Sequence, residues 1–120
     1  MATIKSYTDI SQSKKLSEIL PIESADMWYH GHYSPWKSER IYDEEPCLFH
    51  SKCPNWDNPC WSLSALLSVL PKIINNETLF IEISAALWHI GYRDVYTART
   101  DNLVDACYEL ILKLNEKNLL

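Results

Sequence analysis

The hydrophobic period changes within the C-terminal half of the chain, and this change limits the fold more than any other feature. Along "ETLFIEISAALWHIGYRDVYTA", apolar residues such as Leu79, Ile81 and Ile83 alternate with their neighbours, which is typical of half-buried strands. In "NLVDACYELILKLNEKN", apolar residues recur at every third or fourth position, which predicts a helix with one apolar stripe. Both kinds of element need a partner surface. We therefore predict an α+β fold with helices packed on a small antiparallel sheet.

About three helices are predicted. The first is "DISQSKKLSEILP", in which Asp9 and Gln12 have the spacing of a capping box. The second is "NPCWSLSALLSVLP", with Asn58 as its N-cap and Pro59 at its first helical position. The third is the C-terminal helix, for which Asn102 or the residue before it supplies the cap.

A segment rich in aromatic residues, cysteine and histidine separates the first two helices. It covers residues 22–59, and we predict only short strands within it, near Asp26–Tyr29 and Arg40–Tyr42. A connection this long without regular structure is uncommon in a compact domain unless it carries function. Its Trp and Tyr content argues against disorder. We predict a single domain, residues 1–120, with 22–59 as an irregular, insertion-like part.

The charge balance limits the partners. The chain has 11 basic and 16 acidic residues, a net charge of −5, and no basic cluster. Binding to duplex DNA or RNA depends largely on Lys and Arg at phosphates, so we expect no duplex nucleic acid partner. No apolar window approaches the ~20 residues of a spanning helix, so we expect no membrane partner either.

The N-terminus, "MATIKSYTDISQSKKL", lacks the apolar run of a signal peptide, which predicts a cytoplasmic protein. Thiols stay reduced in that compartment. A disulfide framework among the four cysteines is therefore not expected.

The stretch "PCLFHSKCPNWDNPCW" offers four candidate zinc ligands, Cys47, His50, Cys53 and Cys60. Zinc takes four such ligands in a tetrahedron. The spacing differs from recurrent zinc patterns, in which two ligand pairs are separated by about a dozen residues or more. Cys60 can instead pack in the core as a small hydrophobe. A zinc-stabilised structural module is thus one alternative, and a packed loop without a cofactor is the other.

A second alternative is an enzyme that uses a cysteine or a metal-bound water. Cys47, Cys53 or Cys60 would need a nearby histidine to form a thiolate at neutral pH. No local signature of such a pair is present in the sequence. We therefore favour a non-catalytic protein.

The stretch "WYHGHYSPW" favours a binding surface, because Trp and Tyr rings stack on flat ligands and anchor protein interfaces. The same rings can also build a local core. Basic residues in the same segment can meet a phosphate. The predicted contact residues are Trp28, Tyr29, Tyr33, Trp36, Lys37, Arg40 and Trp56.

Three segments, "SQSKKLSEILPIESADMWY", "PCWSLSALLSVLP" and "DNLVDACYELILKLNE", resemble small proteins of phages, prophages and integrative elements of gut bacteria. The shared positions are Trp61, Ser62, Leu63, Pro71 and Asp105. The resemblance implies an accessory protein of a mobile element in the cytoplasm of a bacterial host, and no catalytic residues. Its implied partner is a host protein or a small nucleotide-like signal of a defence system, which would make it a counter-defence protein. A homo-oligomer is compatible with this expectation.

Overall fold

A computed structural model of the protein describes residues 5–36, 39–48, 57–93, 95–96 and 100–120. Within these residues, the chain forms three α-helices and four small antiparallel sheets. The helices are α1 (Ile10–Ser17), α2 (Leu63–Val69) and α3 (Leu103–Glu116). This mixture confirms the predicted α+β class.

Short strands make up the sheets. In chain order they are β1 (Met27–Tyr29), β2 (Gly31–Ser34), β3 (Glu39–Tyr42), β4 (Cys47–Leu48), β5 (Asn58–Cys60), β6 (Ile73–Ile74), β7 (Glu77–Thr78), β8 (Phe80–Ser84), β9 (Leu87–Tyr92) and β10 (Val95–Tyr96). Two sheets have three strands, in the orders β4-β1-β5 and β10-β9-β8. The other two are the hairpins β2–β3 and β6–β7.

Contacts within the chain divide it into two units. The N-terminal unit is Tyr7–Ala65, and the C-terminal unit is Leu66–Leu120 together with Lys5 and Ser6. The boundary falls inside α2. The prediction of a single domain stays a prediction.

In the N-terminal unit, α1 lies against β5 and begins with the predicted capping box. The Asp9 side chain accepts a hydrogen bond from the Gln12 backbone N–H at 2.8 Å, and the Gln12 side chain accepts one from the Asp9 N–H at 3.1 Å. Each of the two side chains accepts a hydrogen bond from a backbone N–H that the start of a helix would otherwise leave unpaired. The box fixes the first turn of α1 from local sequence alone.

Thr8 joins α1 to the chain around β5 through a buried hydrogen-bond network. Its N–H donates to the Trp61 carbonyl at 3.0 Å, and its hydroxyl accepts from the Trp61 N–H at 3.2 Å. The Tyr29 hydroxyl donates to the Thr8 carbonyl at 2.7 Å. Thr8, Tyr29 and Trp61 are all buried, so these polar groups find their partners inside the protein.

One prediction for this unit is not confirmed, and another, the start of the second helix, is wrong. The structure does not confirm an irregular segment at 22–59, because the described part of it contains a turn of 3-10 helix at Ile22–Ser24 and the strands β1 to β4. The second helix begins at Leu63, not at Pro59. Asn58–Cys60 instead forms β5 and pairs with β1. The Ser62 hydroxyl accepts from the Ala65 N–H at 3.2 Å, so Ser62 performs the capping role predicted for Asn58.

In the C-terminal unit, α3 packs against β9 and β10, as predicted for a helix on a sheet. Its cap is Asn102, whose side chain accepts from the Asp105 N–H at 2.8 Å. The buried residues of α3 are Val104, Ala106, Cys107, Leu110, Ile111 and Leu114. The predicted strands are present as β8, β9 and β10. No helix among the described residues has both the length and the apolarity needed to cross a membrane.

Candidate functional site

The β2–β3 hairpin exposes large side chains that other proteins usually bury. Trp36, in the turn after β2, is 94% exposed, the highest value among the large apolar side chains that the structure describes. Tyr33 on β2 is 68% exposed, and Ile41 on β3 is also exposed. We call Tyr33, Trp36 and Ile41 the hairpin surface. Because the Trp36 ring is already exposed to solvent, a partner can contact it without any change in the core of this protein.

The strand register places the members of the hairpin surface on different sides. Tyr33 lies opposite Arg40, and His32 lies opposite Ile41. Directly opposed residues of antiparallel strands share a face, and successive residues alternate between faces. Tyr33 and Arg40 therefore emerge on one face of the hairpin and Ile41 on the other. Trp36 lies at the turned end that joins them.

The other predicted contact residues are placed differently. Tyr29 is buried and its hydroxyl is bonded to Thr8, so its ring is not an open stacking platform. Burial is also the main reason why the pKa of Tyr29 is raised above its ordinary value. Trp28 on β1 is half-buried. Lys37 and Trp56 lie outside the described residues.

A pocket of about 370 Å³ lies in the N-terminal unit beside the end of β3, and we call it the α1–β3 pocket. The start of α1, the end of β1 and the turn after β3 supply its walls. The residues lining it are Asp9, Ile10, Lys14, Tyr29, Tyr42, Asp43 and Glu44. The sequence did not predict this pocket.

Carboxylates outnumber cations in the α1–β3 pocket. Among the lining residues that the structure describes, Asp9, Asp43 and Glu44 are acidic and Lys14 is basic. The Lys14 Nζ lies 5.1 Å from the centroid of the Tyr42 ring, within the ~6 Å range of a cation–π contact. The face of the Tyr42 ring therefore already lies against one cation, beside acidic side chains of the lining.

Two histidines flank the start of β2, each against a carboxylate. His30 Nδ1 lies 3.0 Å from Asp57 Oδ1, and His32 Nε2 lies 2.8 Å from Asp43 Oδ1. The two imidazole rings meet edge to face with centroids 4.8 Å apart. Asp57 Oδ1 also accepts from the Gly31 N–H at 2.9 Å. These contacts tie the hairpin to the rest of the N-terminal unit at its strand ends.

Two of the four predicted zinc ligands are described, and they lie on opposite faces of one sheet. Cys47 is opposite Trp28, whereas Cys60 is opposite the preceding residue, Met27. This alternation disfavours a site that takes both sulfurs as ligands to one ion. His50 and Cys53 lie outside the described residues. Within the described ranges, no three His, Cys, Asp or Glu side chains are grouped in a way that could hold a metal.

Cys60 has the environment of a packed thiol. It is fully buried, and its Sγ donates to the Thr8 carbonyl at 3.4 Å. Burial raises the pKa of the Cys60 thiol, so the thiolate that a nucleophile requires is disfavoured. Cys47 is exposed on β4. The geometry at Cys60 thus supports the packed role that the sequence left open for it.

No protein-family model, no curated protein and no solved structure matches this chain. The resemblance to proteins of phages and integrative elements stays a prediction. The hairpin surface and the α1–β3 pocket are the features of the described residues that bear on function.

Proposed function

We propose that this protein is a non-catalytic binding protein that recognises another protein through Tyr33 and Trp36 of the hairpin surface. The observation that carries the proposal is the 94% exposure of Trp36 beside the 68% exposure of Tyr33. Energetically dominant residues of protein interfaces are enriched in Trp and Tyr, which bury a large rigid area at a small cost in side-chain entropy. An exposed Trp at the end of a hairpin can enter a pocket of a partner.

A protein partner fits the charge of the site better than a nucleotide-like ligand does. A nucleotide needs a concave site in which rings and cations converge. In the α1–β3 pocket, a phosphate would face Asp9, Asp43 and Glu44 with a single Lys to offset them. Arg40 lies on the hairpin opposite Tyr33, on an exposed face. The nucleotide alternative therefore receives less support from the described residues.

The sequence resemblance supports a host protein as the partner. A mobile-element protein that blocks a defence component needs affinity and specificity, and neither requires a reaction. A counter-defence role is thus the form of the proposal that agrees with both the resemblance and the hairpin surface.

The test compares Trp36→Ala with Ile73→Ala in bacteria that express the tagged protein. Ile73, at 63% exposed, is an apolar side chain of β6 in the C-terminal unit, so it controls for loss of an exposed apolar group elsewhere. Partners are captured by cross-linking, identified by mass spectrometry, and then measured as purified pairs by calorimetry. We expect Trp36→Ala to raise Kd by about tenfold or more, which is about 1.4 kcal/mol, and Ile73→Ala to leave Kd unchanged.

Both variants are also followed by thermal unfolding. Trp36→Ala removes a solvated ring, so Tm should stay within a degree or two of the parent. An unchanged Kd in Trp36→Ala would refute the proposed role of the hairpin surface. A Tm lowered by many degrees would instead make Trp36 a residue of the folded core.

A further inference from the structure

We infer that the α1–β3 pocket receives a basic side chain, an arginine or a lysine of the partner protein. The inference rests on the proposed function, since it names the chemistry that the partner presents beside the hairpin surface. The pocket and the hairpin are continuous in the chain, because β3 ends at Tyr42 and the pocket residues Asp43 and Glu44 follow directly. The pocket lies at the end of the hairpin opposite to Trp36, so a partner that contacts both spans the length of β3.

The size and walls of the pocket suit one long side chain. Its volume of about 370 Å³ lies near the lower end of the ~300–1,000 Å³ range of ligand sites. Ile10 and the ring of Tyr42 provide apolar surface for the methylene stem of Arg or Lys. Asp9, Asp43 and Glu44 supply negative charge for the charged head.

The charge of the lining selects the sign of the ligand. Among the described residues of the lining, three side chains are carboxylates and one is an ammonium, so their net charge is negative. Asp43 is bonded to His32 through Oδ1 at 2.8 Å, which fixes the orientation of its carboxylate. Among the described residues, no cation forms an ion pair with Glu44. An incoming cation would give the Glu44 carboxylate a positively charged partner, whereas an anion would be repelled.

The Tyr42 ring already holds a cation of the same chemical class. The Lys14 ammonium lies 5.1 Å from the ring centroid, although Lys14 is an exposed residue of α1 with a flexible side chain. We interpret Lys14 as the occupant of the ring face in the free protein. An arginine of the partner can replace it, because a planar guanidinium both stacks on an aromatic ring and binds a carboxylate through two hydrogen bonds.

The test uses small probes in place of the unidentified partner. N-acetyl-arginine amide is titrated into the isotope-labelled protein, and the backbone amides of residues 42–44 are followed by NMR. N-acetyl-citrulline amide is the control probe, since it has nearly the same shape without the charge. We expect saturable shifts at these amides with the arginine probe, smaller with added salt, and binding at least several-fold weaker with the citrulline probe.

Three substitutions test which side chains of the pocket bind the arginine probe. Glu44→Gln should weaken binding of the arginine probe by about two- to fivefold, the range for one partly exposed ion pair. Lys14→Met should strengthen it, because the resident cation is removed while the length of the side chain is kept. Glu23→Gln is the matched control, an exposed glutamate of the 3-10 turn outside the pocket, and should have no effect.

Several results would overturn the inference. These are equal binding of the two probes, weaker arginine binding in Lys14→Met, or saturation of the same amides by inorganic phosphate. The two proposals can also fail separately. If Glu44→Gln weakens the probe but leaves the Kd for the partner unchanged, the partner does not use the pocket and the hairpin proposal stands. If Trp36→Ala leaves the Kd for the partner unchanged while the probe binds normally, the hairpin proposal fails and the pocket remains a site for cations.

Discussion

Cys47 and Cys60 lie on opposite faces of the sheet formed by β4, β1 and β5. The register shows this directly, because Cys47 pairs with Trp28 and Cys60 pairs with Met27, and neighbouring residues of a strand point in opposite directions. One thiol is exposed and the other is fully buried. The two sulfurs therefore differ in their access to solvent as well as in direction.

The difference between the two thiols predicts selective alkylation. In the native protein, iodoacetamide should modify Cys47 quickly, whereas Cys60 and Cys107 should react only after unfolding, because both are buried. The measurement is peptide mass spectrometry after short labelling with and without denaturant. Labelling of Cys60 at the rate of Cys47 in the native protein would contradict the packing of Cys60 against Thr8.

The buried thiol of α3 predicts that stability falls at high pH. Burial raises the pKa of Cys107 from its ordinary value of 9.0 to about 12. A raised folded-state pKa means that the native state keeps a proton that the unfolded state releases. Its contribution to stability is complete below pH 9 and is lost as the pH rises towards 12. Unfolding free energy should fall by up to about 1.4 kcal/mol per pH unit in this window.

The measurement for this prediction is urea unfolding at several pH values between 8 and 11, compared with Cys107→Val. The variant keeps an apolar side chain in the site but has no proton to release, so its slope with pH should be smaller. Tyr92 raises the expected slope in both proteins, because burial raises its pKa to about 12 as well. Equal slopes in the two proteins would show that Cys107 does not titrate differently on unfolding.

The sequence predicts those parts of the fold that depend on neighbouring residues. The capping box of Asp9 and Gln12 and the cap of α3 by Asn102 each involve residues three positions apart, and all are present. The predicted start of α2 was wrong for the opposite reason. Asn58 and Pro59 have the local pattern of a helix start, but their pairing with Tyr29 and Trp28 gives a strand. Pairing between distant segments is not visible in a local pattern.

In the candidate site, too, features of the local sequence were predicted and contacts between distant segments were not. The exposed Trp36 and Tyr33 were predicted as contact residues, because a segment rich in Trp and Tyr suggests a binding surface. The α1–β3 pocket was not predicted. It forms only when the start of α1 meets the turn after β3, which brings Lys14 to Tyr42. Nothing in the spacing of these residues along the chain indicates that contact.

The turn between β8 and β9 predicts a stabilising substitution. Ala85 and Ala86 have φ values of 53° and 62°, in the left-handed region that a two-residue hairpin turn requires and that alanine disfavours. The turn between β6 and β7 has the same geometry with Asn75 and Asn76, which tolerate it better. Ala86→Gly should stabilise the protein by about 0.5–1 kcal/mol after allowance for the freedom of glycine in the unfolded chain.

Asn76→Gly is the control for the turn prediction, because asparagine already fits the left-handed region and should gain less. The urea midpoint of each variant gives the comparison. A loss of stability in Ala86→Gly would mean that the flexibility of glycine in the unfolded chain outweighs the strain at this turn.

The hydroxyl of Thr8 predicts a large effect from a substitution that conserves shape. Thr8→Val keeps the volume of the side chain but removes the acceptor for the Trp61 N–H at 3.2 Å and the partner of the Ser13 hydroxyl at 2.7 Å. Leaving a buried donor without its acceptor costs about 1–3 kcal/mol. Thr8→Ser keeps the hydroxyl and loses one methyl group, so it should cost less than Thr8→Val despite the small cavity it creates. Chemical unfolding of the three proteins measures this order, and a Thr8→Val variant as stable as Thr8→Ser would show that the network contributes only through packing.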